Sequence, residues 1–407
     1  MKRSILFLFL LLTGYLHSQT TSLNGFVRNY TGILLNTGDY AIIQNTLDLK
    51  FEHSWDDVSF KANPYMWHFS DNKLEIDLRE IFMDIYFESM DVRIGKQQII
   101  WGKADGVFIT DIVSPKDLRE FLLPDFNEIR IGVTAAKFDY FFGDNTLELV
   151  WIPVFTPTRR PIEGSIWFPK LDFPMEPQID DSKQEVKGSV ENSEMFAKYS
   201  VFTSLVDFEI MAGYAWDVDP TLHTTKTIDS VSHQLTGITV TPQHHRLGIG
   251  GGSFSTTLSG WVFRGEGAYY NGKYFNSADP VLADGVVQKD YLYYLVGVDY
   301  ALWGINLSGQ FIQQAILDYN DQITQDEFEN TMTLLARGDF LRETLTLELF
   351  SYIGLNNKDA LIRPRIYYDL SDGFEILFGA NIFTGESGRF GQYNENDMVY
   401  AKIKYSF

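Results

Sequence analysis

No cysteine occurs among the 407 residues. Disulfides and thiolate metal sites are therefore excluded, and an exported chain of this composition must take its rigidity from elsewhere. Basic residues are scarce, with 33 Lys and Arg against 54 Asp and Glu and a net charge of −21. Such acidity argues against nucleic acid or anionic headgroups as general partners. After the first nineteen residues no apolar stretch approaches the roughly 20 residues that a spanning helix requires. Catalytic signatures are missing too: there is no Gly-X-Ser-X-Gly elbow and no His-Glu-X-X-His pair. Gly248-Ile249-Gly250-Gly251-Gly252 has no Lys-Ser or Lys-Thr after it, so it fits packing within a strand better than phosphate binding. His244 and His245 are adjacent and would point to opposite faces of a strand, and the acidic run Asp318 to Glu329 has Ile323 where a calcium loop needs glycine. Neither an enzyme nor a cofactor or metal site is expected.

What is present begins with Lys2 and Arg3, an apolar run from Ile5 to Leu12, then Gly14, Ser18 and Gln19. That layout predicts a cleaved secretory signal over residues 1–18, leaving residues 19–407 as one domain with a net charge of −23. Hydrophobic residues make up 45% of the chain and aromatics 15%, and they are dispersed in alternation. Ile43, Leu47, Leu49 and Phe51 oppose Gln44, Thr46, Asp48 and Lys50; Leu345, Leu347 and Leu349 oppose Thr346 and Glu348. One face suits lipid and the other water. In the last strand Val399, Ala401, Ile403, Tyr405 and Phe407 share a face. This resembles the closing strand of outer-membrane barrels, whose terminal Phe the barrel assembly machinery reads.

Short turns are expected near Asp56, Ser89, Gly143, Ser204, Ser259, Trp303, Leu341 and Asp372, with longer polar segments between them. The long segments are 102–128, 156–193, 217–242, 271–289, 315–327 and 384–396. Short and long connections in alternation predict an all-β chain, a single transmembrane antiparallel β-barrel of about 18 strands (16–18), in a Gram-negative-type outer membrane. Its partners would be outer-membrane lipid and an unknown small solute, with no nucleic acid. A barrel of this size encloses more space than side chains alone can fill.

The third outer connection, 102–128, is too apolar for a segment facing water. Ser114, Pro115 and Asp117 read as a helix start and Pro124 as its stop, which would carry Leu118, Phe121 and Leu122 on one or two turns. The expectation is that this segment folds into the barrel mouth and narrows it, with Phe108, Leu118 and Phe121 at the constriction; the alternative is a loop over the rim or against a neighbouring subunit.

The run Val92-Arg93-Ile94-Gly95-Lys96-Gln97, the pair Trp101-Gly102, and the loops Ser114-Pro115-Lys116-Asp117 and Leu122-Leu123-Pro124 resemble the uncharacterised outer-membrane family known as domain of unknown function 1302. Its members share an Arg-Gly-(Arg/Lys)-Gln strand, a Trp-Gly pair and an Asn/Asp-Pro-X-Asp loop; Ser114 here stands where Asn or Asp is frequent. The resemblance covers about a tenth of the chain, implies a barrel and supplies no substrate.

Charge placement completes the reading. Arg130, Arg159 and Arg160 should lie near one another at the mouth, either as a filter for anionic solutes or paired with acids. Glu80, Asp84, Arg93, Gln97 and Asp105 are further candidates for the mouth or lumen. Arg264, Glu266, Arg337, Asp339, Glu348, Arg363 and Arg365 should face inward with them, because a charge facing lipid near the midplane costs roughly 2–4 kcal/mol. Two functions compete: a pore for small solutes, and a non-conducting barrel whose outer loops recognise a partner.

Overall fold

The computed structural model describes residues 20–69, 73–169 and 173–407; the expected signal, 1–18, lies outside them. Eighteen strands pair antiparallel, each with its neighbours in the chain, from Thr20–Leu34 to Met398–Ser406. The last strand then pairs with the first, from Phe26 opposite Ser406 to Leu34 opposite Met398. This closure leaves no sheet edge, which is what permits strands in lipid, where an unpaired backbone amide has no water to bond.

The two-face code holds along the wall. Leu23, Val27, Ile81, Met83, Leu347, Leu349, Ile366 and Tyr368 are exposed on the outer surface, while Arg28, Glu80, Asp84, Glu266 and Arg363 are buried inside. All eight expected short turns join consecutive strands. Ser259-Gly260 and Trp303-Gly304 have positive φ at both positions, 50° and 83°, then 51° and 80°, the two-residue geometry that follows the twist of a hairpin. Near these turns aromatic rings stack on the outer wall, Trp261 on Tyr300 at 4.2 Å and Phe142 on Tyr199 at 5.9 Å, as at a membrane interface.

The opposite end differs in detail from expectation. Strands Trp261–Asn276 and Val286–Leu302 run well into the segment expected to be a loop at 271–289. Within 217–242 a hairpin forms, Thr221–Ile228 with Leu235–Gln243, and Gln178–Ile179 adds to it in parallel. No helix forms over 114–124: the amides of Asp117 and Leu118 donate to the carbonyls of Ile129 and Arg159 at 2.6 and 2.8 Å, so cross-segment bridging takes the donors a helix would have used. The one short helix of this connection is Phe126–Ile129, after Pro124.

Candidate solute path

The strand Met90–Gln97 sets the geometry of the connection that follows it. Gly95 has φ +137°, and a Cβ there would lie 2.3 Å from the Ile81 carbonyl oxygen, so only glycine permits this approach to the neighbouring strand. On the inner face Arg93 holds Asp84 through two bonds of 2.6 and 3.0 Å and covers the Phe82 ring at 4.0 Å. Gln97 is fully buried and donates to the Ala135 carbonyl at 3.1 Å. Glu80 accepts from the Gln98 amide at 2.9 Å and pairs with Lys61, also at 2.9 Å.

Beyond Gln97 the chain is bonded to the inner faces of widely separated strands. Trp101 is 2% exposed and donates through Nε1 to Glu148 at 2.6 Å. Glu266 accepts from the Lys103 amide at 2.5 Å and from the Thr110 hydroxyl at 2.7 Å, while Lys103 Nζ pairs with Glu209 at 3.3 Å. Asp105 pairs with Arg264, and its carbonyl accepts from Gln310 at 2.9 Å. Tyr352 donates to the Gly106 carbonyl at 2.7 Å; Arg363 donates to the carbonyls of Leu122 and Leu123 at 2.9 and 2.7 Å. A carboxylate or guanidinium buried without such partners would be strongly unfavourable, so wall and connection satisfy each other's polar groups.

An apolar contact accompanies these bonds. Val107, Ile109, Leu122 and Leu123 pack with Leu295, Ile312, Phe350 and Leu361, which lie on the inner faces of their strands. Leu118 and Phe121 join the cluster from its edge, and Phe121 meets Tyr393 at 4.9 Å. Phe108 joins the cluster as well, and Lys116 and Arg130 each lie 5.2 Å from its ring. The last outer connection adds Phe390, 1% exposed, whose amide donates to Asp359 at 2.7 Å.

The three mouth arginines are all paired. Arg130 bonds Asp111 at 2.6 Å, Arg159 bonds Asp77 at 3.1 Å, and Arg160 bonds Asp219 at 3.0 Å. Arg130 and Arg159 do converge, because the bridges Lys116 to Arg130 and Asp117 to Arg159 place them on either side of one dipeptide. Deeper inside, Glu348 receives both Arg337 and Arg365, at 3.2 and 3.1 Å.

Residues 116–123 separate two cavities. The first, about 430 Å³, is lined by Arg28, Tyr30, Trp67, Glu120, Trp167 and Lys402. The second, about 300 Å³, is lined by Lys116, Leu118, Tyr270, Tyr291, Tyr293 and Arg389. Glu120 and Arg389 belong to no motif, and Lys116 holds only the variable position of the Ser114-Pro115-Lys116-Asp117 loop, so little beyond their charge in outer connections marked them in the sequence. Burial raises the Glu120 carboxyl to about 7 and lowers the Lys116 ammonium from its usual range. Among the described residues no three His, Asp or Glu side chains converge as metal ligands.

Residues 39–177 match the family model described as "Protein of unknown function (DUF1302)". No curated protein matches the chain. Among solved structures, Pseudomonas aeruginosa OccK2 (OpdF) in complex with glucuronate aligns with a TM-score of 0.55 at 10% identity, over 97% of this chain and 99% of that one. Acinetobacter baumannii OccAB2 aligns with a TM-score of 0.56 at 10% identity, over 95% and 98%. The outer membrane protein OpdK of Pseudomonas aeruginosa aligns with 0.55 at 8% identity, over 95% and 99%. At such identities the likeness is one of fold. Residues 39–177, which match that family model, thus hold both the Arg-Ile-Gly-Lys-Gln strand and the connection beyond it, within a closed 18-stranded barrel similar in fold to those outer-membrane structures.

Proposed function

We propose that the barrel passes small solutes across the outer membrane and is not an enzyme, with the connection 102–128 folded inward to narrow the lumen. The observation that carries this reading is the set of bonds from that connection to far strands: Lys103 to Glu266, Gly106 to Tyr352 and Leu123 to Arg363. Those partners belong to strands on other parts of the wall, which supports a path of the connection through the interior. The solute then travels past residues 116–123 through the two cavities, with Arg130 and Arg159 as fixed posts, Arg160 nearer the rim, and Asp105 and Arg93 deeper in the lumen toward the short turns. The glucuronate held by the OccK2 structure agrees in scale with cavities of about 430 and 300 Å³. The closing strand Met398–Ser406, apolar on its outer face, is proposed as the segment that the assembly machinery engages.

Liposome swelling tests the reading. Vesicles containing the refolded barrel should swell in monosaccharides and swell progressively less as solute size increases. Swelling no faster than protein-free vesicles in every solute would reject the pore and favour a barrel that only binds partners.

A further inference from the structure

We propose that residues 116–123 divide the mouth into two binding cavities of opposite free charge, one for organic ammonium ions and one for oxyanions. This rests on the reading of the barrel as a solute passage and names what each side of that passage holds.

Side chains along the divider turn to one cavity or the other. Lys116, Leu118 and Leu122 line the second cavity, whereas Asp117, Glu120 and Leu123 line the first. Charges already paired do not select a solute, so the unpaired ones decide. In the first cavity Arg28 is held by Glu128 at 2.9 Å, Lys73 by Glu75 at 2.9 Å, Arg119 by Glu75 and Asp117 at 3.0 and 2.8 Å, and Lys402 by Asp125 at 3.2 Å. The Glu120 carboxylate makes no hydrogen bond or ion pair among the described residues, and the rings of Tyr30, Trp67 and Trp167 share its cavity. A carboxylate beside aromatic faces suits an ammonium or quaternary ammonium group, which gains both the charge and the ring quadrupole.

The second cavity has the reverse balance. Asp111 is taken by Arg130 at 2.6 Å, Asp219 by Arg160 at 3.0 Å, and Asp217 by Lys273. Lys116 Nζ is left with a carbonyl oxygen, that of Asp111 at 2.6 Å. The Arg389 guanidinium makes no hydrogen bond or ion pair among the described residues. Two cations without a carboxylate partner suit an oxyanion, for which a guanidinium offers paired donors. Burial disfavours the charged forms of both Glu120 and Lys116, and a solute of opposite charge would relieve each.

Calorimetric titration of the intact detergent-solubilised barrel with choline chloride and, separately, with inorganic phosphate tests the division. Wild type should bind both. Glu120→Gln should weaken choline about tenfold and leave phosphate within about twofold, and Arg389→Gln should do the reverse, with Lys116→Gln following Arg389→Gln in direction. Each variant is first checked for folding by its mobility on an unheated gel. Binding of neither probe by wild type, or equal weakening of both probes in either variant, would overturn the proposal. Because binding is read without current, a barrel that shows this pattern yet causes no swelling loses the pore and keeps the cavities. A barrel that swells vesicles without the pattern does the opposite.

Discussion

Glu148 shows how a single residue couples wall to lumen. Its carboxylate is buried, with Trp101 Nε1 at 2.6 Å and Lys198 Nζ at 3.4 Å as partners. Trp101→Phe keeps the ring and removes the donor, so it should cost about 1–3 kcal/mol of stability, read as a lower temperature for conversion of the folded to the unfolded gel band. Gly95→Ala is more severe, because its Cβ meets backbone and not a movable side chain. It should reduce the fraction of chain that refolds into detergent, whereas refolding yields equal to wild type would contradict the close approach of these strands. Glu120 gives a pH dependence. Its carboxyl sits at about 7, so it is neutral below that and anionic above, facing Arg28, Tyr30 and Lys402 on the wall and Asp117 and Glu128 on its own connection. Choline affinity should rise as pH rises through about 7, and this step should vanish in Glu120→Gln; a wild-type profile flat across that range would contradict the assignment.

Elements with a strong local signal were legible in the sequence, and elements fixed by distant contacts were not. Strands such as Leu345–Gly354 announce themselves because alternate residues must meet lipid and water, and turns such as Ser259-Gly260 because few residues tolerate positive φ. The connection beyond Gln97 is another matter. Its apolar content predicted a need for cover, but its conformation depends on partners such as Glu266, 163 positions from Lys103. The helix expected over 114–124 failed for that reason: Arg159, from another connection, supplies the acceptor for Leu118. One local signal of that cover does lie in the sequence. Leu361 lies on the face of Arg363 and Arg365, which was expected to be wet, and an apolar residue there implies something apolar inside the barrel to cover it. Arg363 tests that element. Arg363→Ala should leave the carbonyls of Leu122 and Leu123 without their donors and loosen the segment. Trypsin added to the folded barrel should then cut after Arg119 several times faster than in wild type, and equal rates would show that this tether does not hold it.

At the scale of the whole molecule, closure and charge follow from one constraint. A sheet in lipid cannot leave an edge, so the strand starting at Thr20 must meet the strand ending at Ser406, and the register found does this with eighteen strands. A barrel of that circumference leaves an interior to be filled or left open. Here the acids and arginines of the inner face are largely consumed in pairs, such as Asp84 with Arg93 and Glu348 with Arg337 and Arg365. The strong negative charge of the chain is therefore muted within, and a few unpaired groups at the mouth are left to act on a solute. Single-channel conductance in a planar bilayer, wild type against a variant lacking Val107 to Leu123, tests this account most directly. Removing the segment should leave a folded barrel whose conductance is several times larger; an unchanged conductance would mean that the segment does not occupy the solute path.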